Sequence, residues 1–351
     1  MAAAIPASIE DVTAQWMSAA TGWNITAVRN EIIGVGVGVA SAVYRSHLTG
    51  SGCPKSVIVK LPALDPNAVF TSAVLRMYIR EVKFFKTLAK EVPFRVSQSY
   101  YGEVNEETSQ FAMVVADLGN LRIVDQVVGM SIEDARRAVD GVAGMHAKWW
   151  GKADALAADG TTISLGDPIY PAVLPFVFGE GWAKLTSEMS LPQAILEIGP
   201  HFSEALPKLL SSMVVGPNTL CHDDYRADNL LFNENNEPVA IDFQLLGTGT
   251  GAYDIAYFVT QSLTPEVASK HERDLFDQWV TALIAHGAQA GLVDREALWL
   301  HYRTAALFCL AYPVIASRGM DLSDPRQRTL IEVMTNRFDR AVRELNLAEL
   351  L

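Results

Sequence analysis

The stretch Leu220-Cys221-His222-Asp223-Asp224-Tyr225-Arg226-Ala227-Asp228-Asn229-Leu230-Leu231-Phe232, followed by Ile241-Asp242-Phe243, decides the reading of this chain. Its pattern is His-x-Asp-x-x-x-x-Asn, with Asp242 thirteen positions beyond Asn229. Leu230-Leu231-Phe232 and Val239-Ala240-Ile241 are short β-prone runs, and residues 233–238 between them are rich in turn formers. The segment therefore predicts a small hairpin. A hairpin brings its strand ends together, so Asn229 and Asp242 are expected to meet beside Asp224. Such a set suits phosphoryl transfer: one carboxylate takes an alcohol proton, while an amide and a second carboxylate hold Mg²⁺ on the nucleotide phosphates.

The composition narrows the alternatives. With 351 residues, half of them hydrophobic, the chain can build one large two-lobed domain or two ordinary ones. A net charge of −12 and a pI of about 5.1 argue against a nucleic-acid or anionic-membrane surface, since nothing would neutralise a phosphate backbone. ATP is not excluded, because it needs only a local cation and Mg²⁺. Cys53, Cys221 and Cys309 are scattered and odd in number, which indicates neither a disulfide framework nor a zinc site. The start lacks a basic signal-peptide region and carries Glu10 and Asp11. The apolar run 304–316 contains Pro313 and is too short to span a bilayer. A cytoplasmic protein with no nucleic-acid or membrane partner is expected.

Upstream, Ile32-Ile33-Gly34-Val35-Gly36-Val37-Gly38-Val39-Ala40-Ser41-Ala42-Val43 is glycine-rich. A dinucleotide-binding loop would be followed at once by a helix. Here residues 43–48 continue as strand, residues 49–52 make a turn, and Ser56-Val57-Ile58-Val59-Lys60 is another strand. A flap lying over phosphates and a plain glycine-containing hairpin both fit. Residues 69–89 predict one helix with Met77, Phe84, Phe85 and Leu88 on one face, and Glu81 falls on that face. A carboxylate there needs a partner, and Lys60 is the expected one. Residues 94–102 and 110–116 read as further strands, giving a sheet of about five.

Beyond the sheet the chain turns helical. A Ser-x-x-Asp start predicts helices over 8–20 and 131–150. His146 lies on the apolar stripe of the second and is expected as a satisfied core histidine. The aromatic residues Tyr170, Phe176, Phe178 and Trp182 of segment 151–210 fit an apolar acceptor pocket and local core equally well. The Gly/Thr run 247–251 reads as a flexible loop, and Asp254 as the start and cap of a helix. The remainder predicts helices over about 266–290, 294–316 and 325–347, with Trp299, Tyr302 and Phe308 as candidates for either acceptor wall or core.

The motifs resemble the protein-kinase-like fold, and within it the small-molecule kinases of the aminoglycoside phosphotransferase, choline kinase and ecdysteroid-kinase-like group. The resemblance covers nearly the whole chain in order: glycine flap, strand Lys, helix Glu, hinge, catalytic loop, metal Asp. It implies an α+β two-lobed fold, with an N-terminal lobe over 1–116 (a five-stranded antiparallel sheet with a helix) and a larger, mainly helical lobe over 117–351. It implies ATP bound by Gly36, Gly38, Ser41, Lys60, Glu81 and the hinge backbone of Val114, Val115 and Ala116. Asp224 would be the base, Asn229 and Asp242 the Mg²⁺ ligands, His222 a brace of the loop and Asp254 its support. Arg226 would meet the transferring phosphoryl group or form a salt bridge. Asp223 stands where the group carries Gly, and its carboxylate would either raise the pKa of the base or point to solvent. The resemblance implies an enzyme phosphorylating a hydroxyl of a small molecule. The insert favours a largely apolar acceptor, such as a sterol-like alcohol or a hydroxyacyl-CoA. An aminoglycoside, a choline-type substrate, or a silent nucleotide-binding module are the alternatives.

Overall fold

The computed structural model describes residues 3–33 and 40–351, so Gly36 and Gly38 of the predicted flap lie outside the described residues. The chain divides into two units: one comprises residues 1–91, 96–121 and 241–245, the other 92–95, 122–240 and 246–351.

In the first unit, α1 (Ala14–Thr21) precedes a sheet of β1 (Asn24–Ile33), β2 (Ser41–Ser51), β3 (Ser56–Pro62), β4 (Ser99–Val104) and β5 (Phe111–Ala116). The strand order is β1-β2-β3-β5-β4 and every pairing is antiparallel. Alternation along β3 decides the placement of its lysine. Val57, Val59 and Leu61 pack with Val12, Met17 and Tyr44 on one face. Ile58 therefore shares the opposite face with Lys60, and Ile58 packs there against Tyr78, Val82 and Met113. β5 lies between two strands and is buried along almost its whole length, which is why it reads as a continuous apolar run.

Two predicted helices are broken. Ser8 opens only a short 3₁₀ turn, Ile9–Asp11, because Thr13 starts α1 itself by accepting from the Trp16 N–H at 3.2 Å. The single helix expected over 69–89 is α2 (Pro66–Val74) and α3 (Met77–Lys83), separated at Arg76, whose φ is +52°. A left-handed residue cannot continue a right-handed helix. Past α3 the backbone winds as a wider π turn over Phe84–Leu88. Phe84 stacks on Phe243 at 3.7 Å, and Arg80 donates to the Leu245 carbonyl at 3.0 Å, which ties segment 241–245 to this helix.

The second unit contains α4 (Ile132–Trp149), α5 (Ile169–Glu188), α6 (Gln193–Ser212), β6 (Thr219–Cys221), β7 (Leu230–Phe232), β8 (Pro238–Ala240) and β9 (Gly247–Gly249). It continues with α7 (Ala252–Ser262), α8 (Pro265–Ala285), α9 (Arg295–Phe308), α10 (Ala311–Ser317) and α11 (Pro325–Glu344). The predicted hairpin is present, with Leu230 opposite Ala240 and Phe232 opposite Pro238. The helix expected over 294–316 divides at Cys309-Leu310, just before Pro313. The expected flexible loop at 247–251 is a correction: its first three residues form β9, buried and paired to β6. Glycine composition suggests mobility, but here it answers crowding. A Cβ on Gly247 would lie 1.9 Å from the Asp223 carboxylate. No helix among the described residues is long and apolar enough to cross a membrane.

Candidate active site

Each unit gathers part of the predicted residue set. In the first, Lys60 Nζ donates to Glu81 Oε1 at 2.6 Å and to Asp242 Oδ1 at 2.9 Å. Glu81 is 2 % exposed, so the apolar stripe of α3 does carry a buried carboxylate, and Lys60 is its partner. Burial works against the Lys60 ammonium, but Asp242 and Glu81 more than offset it and hold the lysine charged above its ordinary range. Burial pushes the Glu81 carboxyl up, with Lys60 opposing and Asp242 adding to the rise. The second oxygen of Asp242 accepts from Gln244 at 3.2 Å. Asp242 itself has φ +67°, a conformation that costs a non-glycine residue and is tolerated best by Asp and Asn.

Ser41 is half-buried at the start of β2. Val114, Val115 and Ala116 pair with Val59, Ile58 and Val57 on one side, and the Ala116 N–H donates to the Gln98 carbonyl at 2.8 Å. Val114 and Val115 also pair with Tyr101 and Ser99 on the other side. The backbone of the expected hinge is thus engaged in the ladder up to Ala116. Just beyond it, Asp117 accepts from Arg45 Nε at 2.8 Å, Ser56 Oγ at 2.7 Å and the Gly119 N–H at 3.0 Å, which pins this end of the sheet.

In the second unit the loop after β6 is held from below. The Asp254 carboxylate accepts the His222 N–H at 2.7 Å, the Asp223 N–H at 2.9 Å and His146 Nε2 at 3.1 Å. Trp279 Nε1 donates to His146 Nδ1 at 3.0 Å. An indole N–H can only donate, so Nδ1 accepts and Nε2 carries the proton given to Asp254. His146 is therefore a core histidine with both nitrogens satisfied. Asp254 lies in the first turn of α7 but does not cap it. Gly251 occupies the cap position, and the carboxylate is spent on the loop.

The loop projects Asp224, which is 8 % exposed. Its Oδ1 accepts from Arg226 Nε at 3.1 Å and from the Tyr257 hydroxyl at 3.0 Å, and its Oδ2 accepts from Asn229 Nδ2 at 2.7 Å. Asn229 Nδ2 also donates to the Asp224 carbonyl at 2.9 Å. Arg226 is the salt-bridge partner of Asp224 and, at 2.8 Å, of Asp228, and it donates to Gln126 as well. Burial opposes its charge, but Asp224 and Asp228 keep the guanidinium firmly protonated. His222 is fully buried, and its Nδ1 accepts the Asp224 N–H at 3.3 Å.

Asp223 departs from the solvent-pointing reading. It is 5 % exposed, with φ +60°, and its carboxylate lies against Gly247. It does not point to solvent. The left-handed backbone explains why glycine suits this position and why Asp is an acceptable replacement.

Tyr257 and Gln126 were not singled out from the sequence. Tyr257 had one usable signal: it follows Asp254 by three residues on α7, and so shares its face. Gln126 lies in a loop remote in sequence, and only the fold brings it to Arg226.

A search among curated protein sequences finds no match. Solved structures do resemble the chain. A putative aminoglycoside phosphotransferase from Ralstonia eutropha has a TM-score of 0.55 at 13% identity, covering 96% of this chain and 98% of its own. Choline kinase LicA from Streptococcus pneumoniae has a TM-score of 0.54 at 16% identity, covering 97% and 99%. The ethanolamine kinase of Plasmodium vivax has a TM-score of 0.54 at 11% identity, covering 92% and 83%. At these identities the likeness shows the protein-kinase-like fold. The phosphotransferase enzyme family matches residues 31–298, most of the chain, and this protein therefore belongs to that family as a small-molecule phosphotransferase.

Proposed function

We propose that the protein transfers the γ-phosphoryl group of ATP, with Mg²⁺, to a hydroxyl of a largely apolar small molecule, of the sterol-like or hydroxyacyl-CoA type. The observation that carries the reading is the Asp224 carboxylate, nearly buried and held by Asn229, Arg226 and Tyr257. Asp224 orients the acceptor alcohol and takes its proton as the new P–O bond forms. Lys60, set by Glu81, neutralises the phosphates, while Gly36, Gly38 and Ser41 belong to the covering flap. The stretch leaving Val114, Val115 and Ala116 serves the adenine. His222 braces the loop, and Arg226 orients the base.

The donor chemistry suits Mg²⁺. Asn229 commits its Nδ2 to Asp224, which leaves its amide oxygen for a cation, and Asp242 offers a carboxylate. Both are the hard oxygen ligands that Mg²⁺ prefers. When bound, the ion would neutralise charge on the phosphates; the residues that would hold it are Asn229 and Asp242.

An apolar acceptor is supported by the second unit. Tyr257 stacks on the half-buried Tyr312 at 3.9 Å, and the Tyr312 hydroxyl donates to the Asp223 carbonyl at 3.2 Å, so an aromatic ring adjoins the base. α10, which carries Tyr312, packs on α5, where Gly181 lies tight against the Val314 carbonyl. The first half of α5 is apolar on all sides, and its Phe176 is 68 % exposed.

The test is Mg²⁺-dependent ADP release from ATP with pooled sterol-like alcohols, hydroxyacyl-CoAs, choline and aminoglycosides, run beside Asp224→Asn. A pool of the first two kinds stimulates the wild type, and the variant loses roughly 10³-fold in rate. Stimulation by choline or aminoglycosides alone would overturn the apolar acceptor. Unchanged turnover in the variant would overturn the assignment of the base.

A further inference from the structure

Asp224 is held by more donors than a general base requires, and they are unevenly shared. Among the described residues, Oδ1 takes both Arg226 Nε and the Tyr257 hydroxyl, whereas Oδ2 takes only Asn229 Nδ2. A carboxylate oxygen offers about two lone-pair sites. Oδ1 is therefore filled, and one site on Oδ2 is left for an incoming proton. Of the three donors, Arg226 and Asn229 belong to the same loop as the base. Tyr257 does not. It comes from α7, it is 2 % exposed, and its ring is clamped by the stack on Tyr312. It also lies three residues from Asp254, the side chain that holds the backbone of His222 and Asp223. One helix thus fixes the loop twice, at its backbone and at its reacting side chain.

We propose that Tyr257 is a positioning residue for phosphoryl transfer, its hydroxyl locking the Asp224 carboxylate so that Oδ2 is the oxygen presented to the acceptor. The proposal rests on the reading of Asp224 as the base. In the step it serves, the acceptor O–H bond breaks and its proton goes to Oδ2. The acceptor oxygen bonds the γ-phosphorus, and the bond from that phosphorus to the β–γ bridging oxygen breaks to leave ADP. Tyr257 keeps its own proton throughout. Burial and the adjacent Asp224 push its phenol well above the ordinary range, with Arg226 pulling the other way.

Tyr257→Phe removes one atom and keeps the ring on Tyr312. ADP release from Mg²⁺·ATP is measured with water as the acceptor, and again with the alcohol that the panel identifies. The expected result is a kcat lower by about tenfold, the loss of one hydrogen bond to a charged group, with KM for ATP unchanged. A role in packing alone would not produce that split. In the Asp224→Asn background the same substitution costs nothing further, because the group it positions is gone. Tyr257→Met, which fills similar space without a donor, carries the test should the phenylalanine form not fold. A wild-type kcat in the folded variant, with Asp224→Asn inactive, would overturn the role of Tyr257 alone. So would a full tenfold further loss in the Asp224→Asn background. An active Asp224→Asn protein would overturn the base, and the positioning role with it.

Discussion

The Lys60 cluster of the first unit and the Asp224 cluster of the second are built on different physical plans. Around Lys60, one ammonium is shared by two carboxylates, Glu81 and Asp242, in a setting where burial disfavours the charges of Lys60 and Glu81. Nothing there survives the loss of its counter-charge. Around Asp224, a carboxylate is held by three directional donors, and the loop bearing it is anchored by Asp254, His146 and Trp279 through hydrogen bonds with fixed polarity. The first arrangement is compensated by charge and the second by geometry. Charge compensation suits a site that must accept a polyanion, since a cation already paired can be re-shared among new oxygens. Geometric compensation suits a proton acceptor, whose lone pair has to point one way.

The sharpest way to break this contrast is Lys60→Met. It leaves the buried Glu81 carboxylate facing the half-buried Asp242 with no cation between them, so the variant should lose about 3 kcal/mol in denaturant titration. Its phosphotransfer should fall by roughly 10²–10³-fold. A variant as stable as the wild type would show that the cluster is not held by compensation.

A smaller effect probes the geometric side. Gly247→Ala puts a methyl group where the Asp223 carboxylate now lies, 1.9 Å away, and should cost about 2 kcal/mol. Asp223→Gly should be tolerated, because it relieves the left-handed backbone at that residue. The double variant should recover at least about 1 kcal/mol of the loss, a coupling visible in thermal melts. Simple additivity would remove the crowding argument for the buried glycine strand.

The smallest effect is a matched pair of acid limbs, one per unit. Burial raises the carboxyls of Asp117 and Asp134, but their partners win. Arg45, Ser56 and the Gly119 N–H lower the first, and Arg122, Ser131 and Arg137 lower the second. A carboxyl depressed on folding adds stability above its unfolded pKa, near 3.8, and loses it as the pH falls through the folded value. Asp117→Asn and Asp134→Asn should each cost about 0.5–1 kcal/mol near neutrality. Each should also flatten the decline of the denaturation midpoint below about pH 4. Equal slopes in wild type and variants would place the acid sensitivity elsewhere.

What was legible in the sequence follows the same division. The order of motifs, the five-stranded sheet and the pairing of Lys60 with Glu81 could all be read, because alternation and helical spacing report which face a residue occupies. A carboxylate on an apolar face also demands a cation. The break at Arg76 could not be read, since arginine is an ordinary helix former and only tertiary packing imposes its left-handed backbone. Nor could β9 be read as strand. Its glycines are selected by what presses on them from Asp223, a contact between distant stretches. Gln126 was hidden for the same reason, since a hydrogen bond across the fold leaves no local period, and Tyr257 was marked only by its spacing from Asp254. Asp254 was anticipated as a support of the loop, but its own helix drew it toward a capping role that Gly251 fills.

The placement of Asp254 and Tyr257 one turn apart on α7 has a consequence for how such a protein can change. On α7 a single rod carries both Asp254 and Tyr257, the residues that hold the Asp224 loop and its carboxylate, while the neighbouring apolar helices are α10 and α5. Substitutions on the outer helices can therefore accumulate without disturbing the direction of the Asp224 lone pair. If the proposed function holds, a lineage, or a laboratory library, could exchange one acceptor for another by rewriting α5 and α10 while the Asp224 frame is inherited intact. The positions to leave alone in such a library are Asp254 and Tyr257.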